Sequence, residues 1–354
     1  MEYLSKEAIK PERLTQKSSL LAYAKIQLND IKYTVFSIFT PHCKTDFKSL
    51  TFIATSFLNN FENVTTIYPM DTMYPILVEK NLIPDISERQ DIINKFFNYK
   101  KTLNINYTKL NENITLTEAE KESILNETSE NDKPIYFKSR TIKFTKEEMK
   151  KILLFCKDNE LSIQALLDAA FLKASLELFQ NNKKDVDVVN FQITYDQRKF
   201  SVKDEKCIGL FAEGTYPYYP IEWVNNSLVD VAKDLTRDIK KSAFLESEEL
   251  KRFRIECYYI HKKLSVIEYT FSASNIGKFE CLEDLNENLK KKFVDFHFLG
   301  ATRMPLPNTS RKISLHMFSL FDESCNISLN YPTAVVPSIH MIKLLERIKE
   351  IMLN

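Results

Sequence analysis

Glycine is scarce in this chain, which has four in 354 residues: Gly209, Gly214, Gly277 and Gly300. No two of them have the spacing of G-x-G-x-x-G, G-x-x-x-x-G-K or G-x-S-x-G. This lack argues against a dinucleotide-binding fold, a P-loop enzyme and a serine hydrolase with a nucleophile elbow. Each glycine that is present is expected to meet a local backbone need, such as a positive φ or the close approach of another group.

An excess of charge of either sign is also missing. The 49 Lys and Arg residues nearly balance the 48 Asp and Glu residues. Without a long single-sign block, the chain lacks the electrostatic footprint of a protein that binds nucleic acid or an anionic membrane. No apolar run approaches the roughly 20 residues of a membrane helix, and the N-terminus lacks the apolar stretch of a signal peptide. We therefore expect no nucleic-acid partner and no transmembrane segment.

Cysteine pairs at metal-binding spacing are absent as well. The cysteines are scattered and include no C-x-x-C pair, which argues against a zinc site and a disulfide framework. There are six of them: Cys43, Cys156, Cys207, Cys257, Cys281 and Cys325. These observations predict no metal site, and reduced thiols in a cytoplasmic protein.

The chain contains enough apolar material for two lobes. Its length exceeds that of one usual compact core, and 44% of its residues are hydrophobic. Segment 108–134 is polar, charged and almost free of aromatic residues, which predicts a surface linker. This linker would separate a first lobe in 1–107 from a second lobe in 135–354. Strand and helix patterns alternate in mixed order, which favours α+β layers.

The first of these patterns predicts a strand, a loop and a helix. IKYTVFSIF (31–39) is a nearly continuous apolar run, typical of a central strand buried on both faces. Apolar residues then recur at spacings of three and four and predict one helical face: Phe47, Leu50, Ala54, Phe57, Leu58 and Phe61. His42 and Asp46 lie in between, where a rigid scaffold can present a side chain to a cleft.

Beyond residue 135 the patterns predict helices and strands in alternation. Thr145 and Glu148 have the spacing of a capping box at the start of a helix. The buried face of that helix is expected to comprise Met149, Ile152, Leu153 and Cys156. Segment 162–179 is apolar over most of its circumference, which predicts a helix buried between layers. Strands are predicted at 187–195, 209–221, 266–277, 293–300 and 312–331, the last as a hairpin, and a closing helix at 337–352.

Two interpretations of His42-x-x-x-Asp46 are open from the residues alone. A neutral imidazole can accept a proton from a hydroxyl or an amine near pH 7, which suits a general base. Alternatively, His42 is a loop histidine that is hydrogen-bonded to a backbone group.

TPHCKTDFKSL (40–50) resembles a degenerate form of the H-H-x-x-x-D-G motif of the CoA-dependent acyltransferase superfamily. This superfamily includes condensation domains, polyketide-associated acyltransferases and alcohol acetyltransferases. Three later stretches agree in the expected order. The helix pair that opens the family's second lobe is resembled by segment 144–175. The family's strand with an arginine and then a glycine is resembled by VNFQITYDQRKF (189–200), which is followed by IGLF. The family's S-N-x-G strand end is resembled by FSASNIGKF (271–279).

The chain departs from the family pattern at two motif positions and in length. Pro41 stands where the family has the first histidine, and Phe47 stands where it has glycine. Family members also carry a much longer segment before the motif. The resemblance therefore implies a shortened N-terminal lobe, about half of which would be missing.

The resemblance implies two lobes like chloramphenicol acetyltransferase around a central cleft, and a role for four residues. His42 would be the general base. Asp46 would point away from the cleft and form a structural ion pair with Arg198. Asn275 would lie near the reacting carbonyl. From the residues alone, Arg198 is equally well a solvated charge beside Asp196, whereas for Asn275 a role in a strand-end turn is favoured.

The function implied by the resemblance is acyl transfer from a CoA thioester to an alcohol or amine. Acyl-CoA would be a co-substrate, no cofactor would be permanently bound, and the partners would be a small-molecule donor and acceptor. A condensation-type enzyme that uses carrier-bound thioesters is an alternative. A non-catalytic binding or scaffold protein is another, because of the altered motif and the short first lobe.

Overall fold

The structure is a computed structural model that describes residues 20–28, 30–39, 46–61, 68, 137–179, 188–196, 198, 206–215, 218–245, 271–278, 284–292, 313–319, 323–332 and 338–354. His42, the linker predicted at 108–134 and the strand predicted at 293–300 lie outside these residues. The division into lobes at the linker stays a prediction.

The first described segment is a two-stranded antiparallel sheet followed by a helix. Strands β1 (Leu20–Leu28) and β2 (Ile31–Phe39) pair in antiparallel register, and Asp30, just before β2, has a φ of 63°. Helix α1 (Phe47–Phe61) follows. The rings of Phe36 on β2 and Phe57 on α1 meet edge to face, with centroids 5.3 Å apart.

The prediction that β2 is buried on both faces is wrong. None of the described side chains of β2 is buried, and Ile31 is 56% exposed. Within the described residues, β2 pairs with β1 alone. A short apolar run does not reveal how many of its faces are covered, because that depends on elements distant in sequence.

The second segment is built on a mixed sheet. Its strands are β3 (Phe137–Phe144), β4 (Val188–Asp196), β5 (Ala212–Thr215), β6 (Tyr218–Pro220), β7 (Phe271–Lys278), β8 (Ile313–Ser319) and β9 (Cys325–Pro332). Their order is β3-β9-β8-β7-β4-β5, and β6 also pairs with β4. Strand β7 is parallel to both of its neighbours, whereas the other pairs are antiparallel. The predicted α+β fold is confirmed.

The second segment also contains helices, several of which contact the sheet. They are α2 (Lys146–Asp158), α3 (Ile163–Phe179), α4 (Ile221–Val224), α5 (Leu228–Leu245), α6 (Glu287–Lys292) and α7 (Ser338–Leu353). Helix α3 contacts α5, α7 and β7, so its predicted burial between layers is confirmed. Helix α5 is absent from the sequence predictions, although Val231, Ala232 and Leu235 are buried at helical spacing. None of the described helices has both the length and the apolar character for a bilayer span.

The start of α2 carries the predicted capping box. The Glu148 N–H donates to Thr145 Oγ1 at 3.1 Å, and the Thr145 N–H donates to Glu148 Oε2 at 2.7 Å. Met149, Ile152 and Cys156 are buried as predicted. Leu153 is 53% exposed, so its predicted burial is wrong. The three buried residues already fill the stripe that faces α3 and β3, and Leu153 lies outside it.

Replacing Thr145 by alanine is expected to lower the free energy of unfolding by about 1 kcal/mol, because a helix N-terminal N–H loses its acceptor. Urea denaturation measures the difference. Thr145→Ser keeps the hydroxyl and should match the wild type. Equal stability of the alanine and serine variants would show that this cap contributes nothing.

Candidate functional site

Asp46 is the N-cap of helix α1. Its Oδ1 accepts a hydrogen bond from the Ser49 N–H at 2.8 Å, and its carbonyl accepts the Leu50 N–H at 3.1 Å. A carboxylate at this position satisfies a backbone donor that the helix leaves open and also interacts favourably with the helix dipole. The Asp46 N–H donates to the Gly209 carbonyl at 3.1 Å. Asp46 therefore ties the start of α1 to the segment between β4 and β5.

The structure brings Asp46 and Arg198 together, although they are 152 positions apart in sequence. Arg198 Nη2 lies 2.8 Å from Asp46 Oδ1, and the side chains are 1% and 2% exposed. The second oxygen of Asp46 accepts the Phe211 N–H at 2.8 Å. Both carboxylate oxygens are thus engaged within the protein. Arg198 is a buried ion-pair partner, not a solvated surface charge.

Further contacts hold the guanidinium of Arg198. Nη1 donates to Asp196 Oδ1 at 2.9 Å, and Nε donates to the Cys207 carbonyl at 3.2 Å. The ring of Phe211 lies beneath, with its centroid 4.7 Å from Cζ, a distance suited to a cation–π contact. Asp196 also accepts Lys48 Nζ at 3.2 Å. Positive and negative groups therefore alternate from Lys48 through Asp196 and Arg198 to Asp46.

The electrostatics of this pair favour the charged forms. Burial raises the pKa of Asp46, but the hydrogen bond and charge of Arg198, together with the backbone N–H groups of Ser49 and Phe211, outweigh burial and lower it below 3.8. Burial likewise lowers the pKa of Arg198, and the two aspartates outweigh it and raise that pKa. A carboxylate that stays ionised and faces its cation is poorly suited to relay a proton.

The ion pair of Asp46 and Arg198 should make the free energy of unfolding depend on pH in the acidic range. The folded-state pKa of Asp46 is depressed, so its contribution is fully present above the unfolded value of 3.8 and is lost as the pH falls through the folded pKa. The stability difference between wild type and Asp46→Asn should therefore shrink below about pH 4. Denaturant titrations at stepped pH measure it. A difference that stays constant into strong acid would contradict an ionised Asp46.

Ser49 is a member of the site that the sequence predictions miss. Its hydroxyl accepts the Gly209 N–H at 2.9 Å and Arg198 Nη2 at 2.7 Å, and it donates to the Gly209 carbonyl at 2.6 Å. Ser49 is fully buried. The available signal was the D-x-x-S pattern across a helix start, which places both side chains on one face of the first turn.

A second set of contacts fixes the far end of α1. Asn59 donates through Nδ2 to the Asp284 carbonyl and accepts the Asn286 N–H through Oδ1, both at 2.9 Å. The Tyr68 hydroxyl donates to the Asp284 carboxylate at 2.8 Å. The buried face of α1 thus carries polar groups (Ser49, Thr51, Thr55 and Asn59) around Phe52, whereas most of the predicted apolar stripe is half-buried.

Asn275 lies at an irregularity of strand β7. The register with β8 shifts between Asn275 and Gly277, and Gly277 has a φ of 80°. Asn275 Oδ1 accepts the Gly277 N–H at 2.9 Å, and the Asn275 N–H donates to Gln164 Oε1. Asn275 thus bonds to the backbone two residues on, at an irregular point inside β7.

An apolar cluster connects this strand end with the start of α1. The cluster is formed by Phe52, Tyr68, Leu285 and Phe318, with Phe47 and Ile276 packed against it. Phe47 follows Asp46, and Ile276 follows Asn275. Two of the predicted site residues, Asp46 and Asn275, thus lie beside one shared cluster, although no direct contact joins them within the described residues. His42 lies outside those residues.

No group of three or more metal-ligating side chains is assembled in the part of the chain that the structure describes. Cys156, Cys207 and Cys325 are buried. Burial raises the pKa of Cys325 to about 12 and that of Cys156 to about 11. Neither thiol is therefore suited to act as a nucleophile.

A family model described as alcohol acetyltransferase matches residues 39–242, more than half of the chain. The matched region includes the positions of His42, Asp46 and Arg198 but ends before Asn275. No curated protein sequence matches significantly.

Solved structures share the fold at low sequence identity. The cyclization-docking bidomain of EpoB from Sorangium cellulosum has a TM-score of 0.59 at 11% identity, over 94% of this chain and 63% of that one. The epimerization domain of the third module of tyrocidine synthetase B has a TM-score of 0.53 at 11% identity, over 94% and 71%. The condensation domain of the Monacolin K synthase MokA has a TM-score of 0.53 at 10% identity, over 94% and 71%. This chain thus spans less than two thirds of the EpoB bidomain.

These likenesses confirm the two-lobed fold that resembles chloramphenicol acetyltransferase, with a mixed sheet and helices.

Proposed function

Because this chain belongs to the alcohol acetyltransferase family, we propose that it transfers an acyl group from a CoA thioester to an alcohol or amine. One observation carries the proposal. The residues that the family model matches include Asp46 and Arg198, whose buried ion pair anchors the helix four residues after His42. A rigid anchor at that place is what a catalytic group in the preceding segment requires.

In the proposed reaction His42 is the general base. Its neutral imidazole takes the proton from the acceptor hydroxyl or amine as that group attacks the thioester carbonyl. The tetrahedral intermediate then collapses with cleavage of the carbon–sulfur bond, and the protonated imidazole returns the proton to the departing thiolate. The products are an ester or amide and free CoA.

Asp46 has a structural part in this mechanism. Its two oxygens are occupied by Arg198 and by the N–H groups of Ser49 and Phe211. The carboxylate is therefore committed to holding the helix start, which supports a positioning role over a proton relay.

Asn275 is proposed to stabilise the oxyanion of the tetrahedral intermediate. Because Asn275 Oδ1 is held by the Gly277 N–H, its Nδ2 group is the part of the side chain that can donate to a developing negative charge. A donor that is already oriented stabilises such charge without reorganisation during the reaction.

Acyl-CoA serves as a co-substrate in this proposal, and no permanent cofactor is invoked. The partners are a small-molecule donor and acceptor. A reduced compartment such as the cytoplasm is part of the proposal, because the scattered cysteines of the sequence include no C-x-x-C pair.

The experiment uses the purified full chain with acetyl-CoA and longer acyl-CoA donors against a panel of alcohols and amines. Released thiol and the acylated acceptor are both quantified, since their equality separates transfer from hydrolysis. An acyl-pantetheine thioester donor is run in parallel, because the fold is shared with condensation and epimerization domains. If the folded chain produces no acylated acceptor from any donor, a non-catalytic binding or scaffold role replaces the enzyme proposal.

A further inference from the structure

Helix α3 carries a buried acid that the proposed mechanism does not use. Asp168 has no exposed surface. Its Oδ1 accepts a hydrogen bond from Gln164 Nε2, and no described residue supplies a hydrogen-bond partner for its Oδ2. The two residues are four apart on one helix, so their side chains meet on the same face. An acid in this position needs an explanation, because burying an uncompensated charge is costly.

The other end of Gln164 reaches the candidate site. Its Oε1 accepts the backbone N–H of Asn275 on β7. The pairing of β7 with β4 ends at Ala273, and the register with β8 shifts after Asn275. The side chain of Gln164 thus supplies the acceptor for an N–H group at an irregular point of the sheet.

The hydrogen bond to Asp168 decides which way the Gln164 amide points. Because Asp168 Oδ1 accepts from Nε2, the carbonyl Oε1 is directed to the Asn275 N–H. Without this acceptor, the amide could rotate and present a donor to another donor.

The surroundings of Asp168 favour its neutral form. Burial raises its pKa well above the ordinary value, and the hydrogen bond from Gln164 opposes this only in part.

We propose that Asp168 and Gln164 are positioning residues that hold the Asn275 end of β7 in its active geometry. The proposal rests on the proposed function, since it assigns Asn275 to the reacting site. The chain of contacts runs from the core, through one oriented amide, to the backbone of the residue whose side chain acts on the substrate.

Three variants of the full chain test this role. Gln164→Met removes the amide, Asp168→Leu removes the acceptor that orients it, and Asp168→Asn keeps an uncharged acceptor of the same shape. Asp234→Asn is the matched control, because that carboxylate accepts Trp223 Nε1 on the neighbouring helix and does not contact Gln164. For each variant kcat, KM for acyl-CoA and the thermal midpoint are measured.

We expect kcat to fall about tenfold or more in Gln164→Met and Asp168→Leu, because small misplacement of a reacting group is costly. KM for acyl-CoA should change by less than about twofold, as expected when ground-state binding is untouched. Asp168→Asn and the Asp234→Asn control should stay near wild type. The thermal midpoint of Asp168→Leu should stay near that of the wild type although its kcat falls, because the substitution replaces a buried acid by an apolar side chain.

A wild-type kcat in Asp168→Leu and Gln164→Met would overturn the proposal, as would an equal loss in Asp168→Asn and Asp168→Leu. Hydrogen–deuterium exchange over peptide 271–278 supplies a readout that needs no activity. Deuterium uptake should rise in Gln164→Met and Asp168→Leu, but not in Asp168→Asn. If the wild type transfers no acyl group, the function proposal fails, and unchanged uptake in all variants separately refutes the positioning role.

Discussion

Replacement of Asp46 by alanine is expected to lower the free energy of unfolding by about 3–5 kcal/mol, the cost of breaking a buried ion pair on one side. The variant leaves the Arg198 guanidinium, 1% exposed, with Asp196 as its remaining carboxylate partner. It also removes an acceptor from the first turn of α1, since the Ser49 N–H donates to Asp46. Both losses act on the same helix start, so they should appear in one cooperative denaturation curve.

Asp196→Ala is the matched control for this prediction. It removes the other carboxylate that contacts the same guanidinium, but that side chain is 34% exposed, so a loss of less than about 1 kcal/mol is expected.

The double variant Asp46→Ala/Arg198→Met tests the cause of the loss. It should be less destabilised than the sum of the single variants, because it leaves no unpaired buried charge. Additive losses, or equal losses in Asp46→Ala and Asp196→Ala, would show that the buried pair is not the source of the stability.

His42→Ala is expected to lower acyl transfer by about 10²- to 10⁴-fold, the usual contribution of a general base. The free energy of unfolding should change by no more than about 0.5 kcal/mol, as for substitutions away from the core. Initial rates of acylated-acceptor formation and urea denaturation of the same samples provide the two measurements. The wild-type rate should also fall in acid, because protonated His42 cannot accept a proton.

The comparison with Asp46→Ala sharpens this test. That variant should lose both stability and activity, whereas His42→Ala should lose activity alone. His42→Gln should be as inactive as His42→Ala, since a carboxamide cannot act as a base. A His42→Ala rate within tenfold of the wild type would remove His42 from the reaction and leave the base unidentified.

Local sequence patterns determined the elements that depend on neighbouring residues. The T-x-x-E spacing at Thr145 predicted a capping box that the structure contains, because both partners lie within one helical turn. The apolar circumference of α3 predicted its burial, since a helix without a polar face has to be covered on every side.

The tertiary structure decided the partners of polar side chains. No periodicity indicates that Ser49 and Asn59 of α1 bond to residues near 209 and 284, or that Gln164 supports Asn275. The residues alone did not distinguish a solvated surface charge from a buried ion-pair partner at Arg198. The pairing with Asp46 was predicted from the family resemblance. The burial of side chains was also decided by the tertiary structure. Ile31 and Leu153 belong to apolar patterns that predict burial, yet both are more than half exposed. A pattern repeats with the geometry of its own helix or strand, whereas a contact depends on the path of the chain between its two ends.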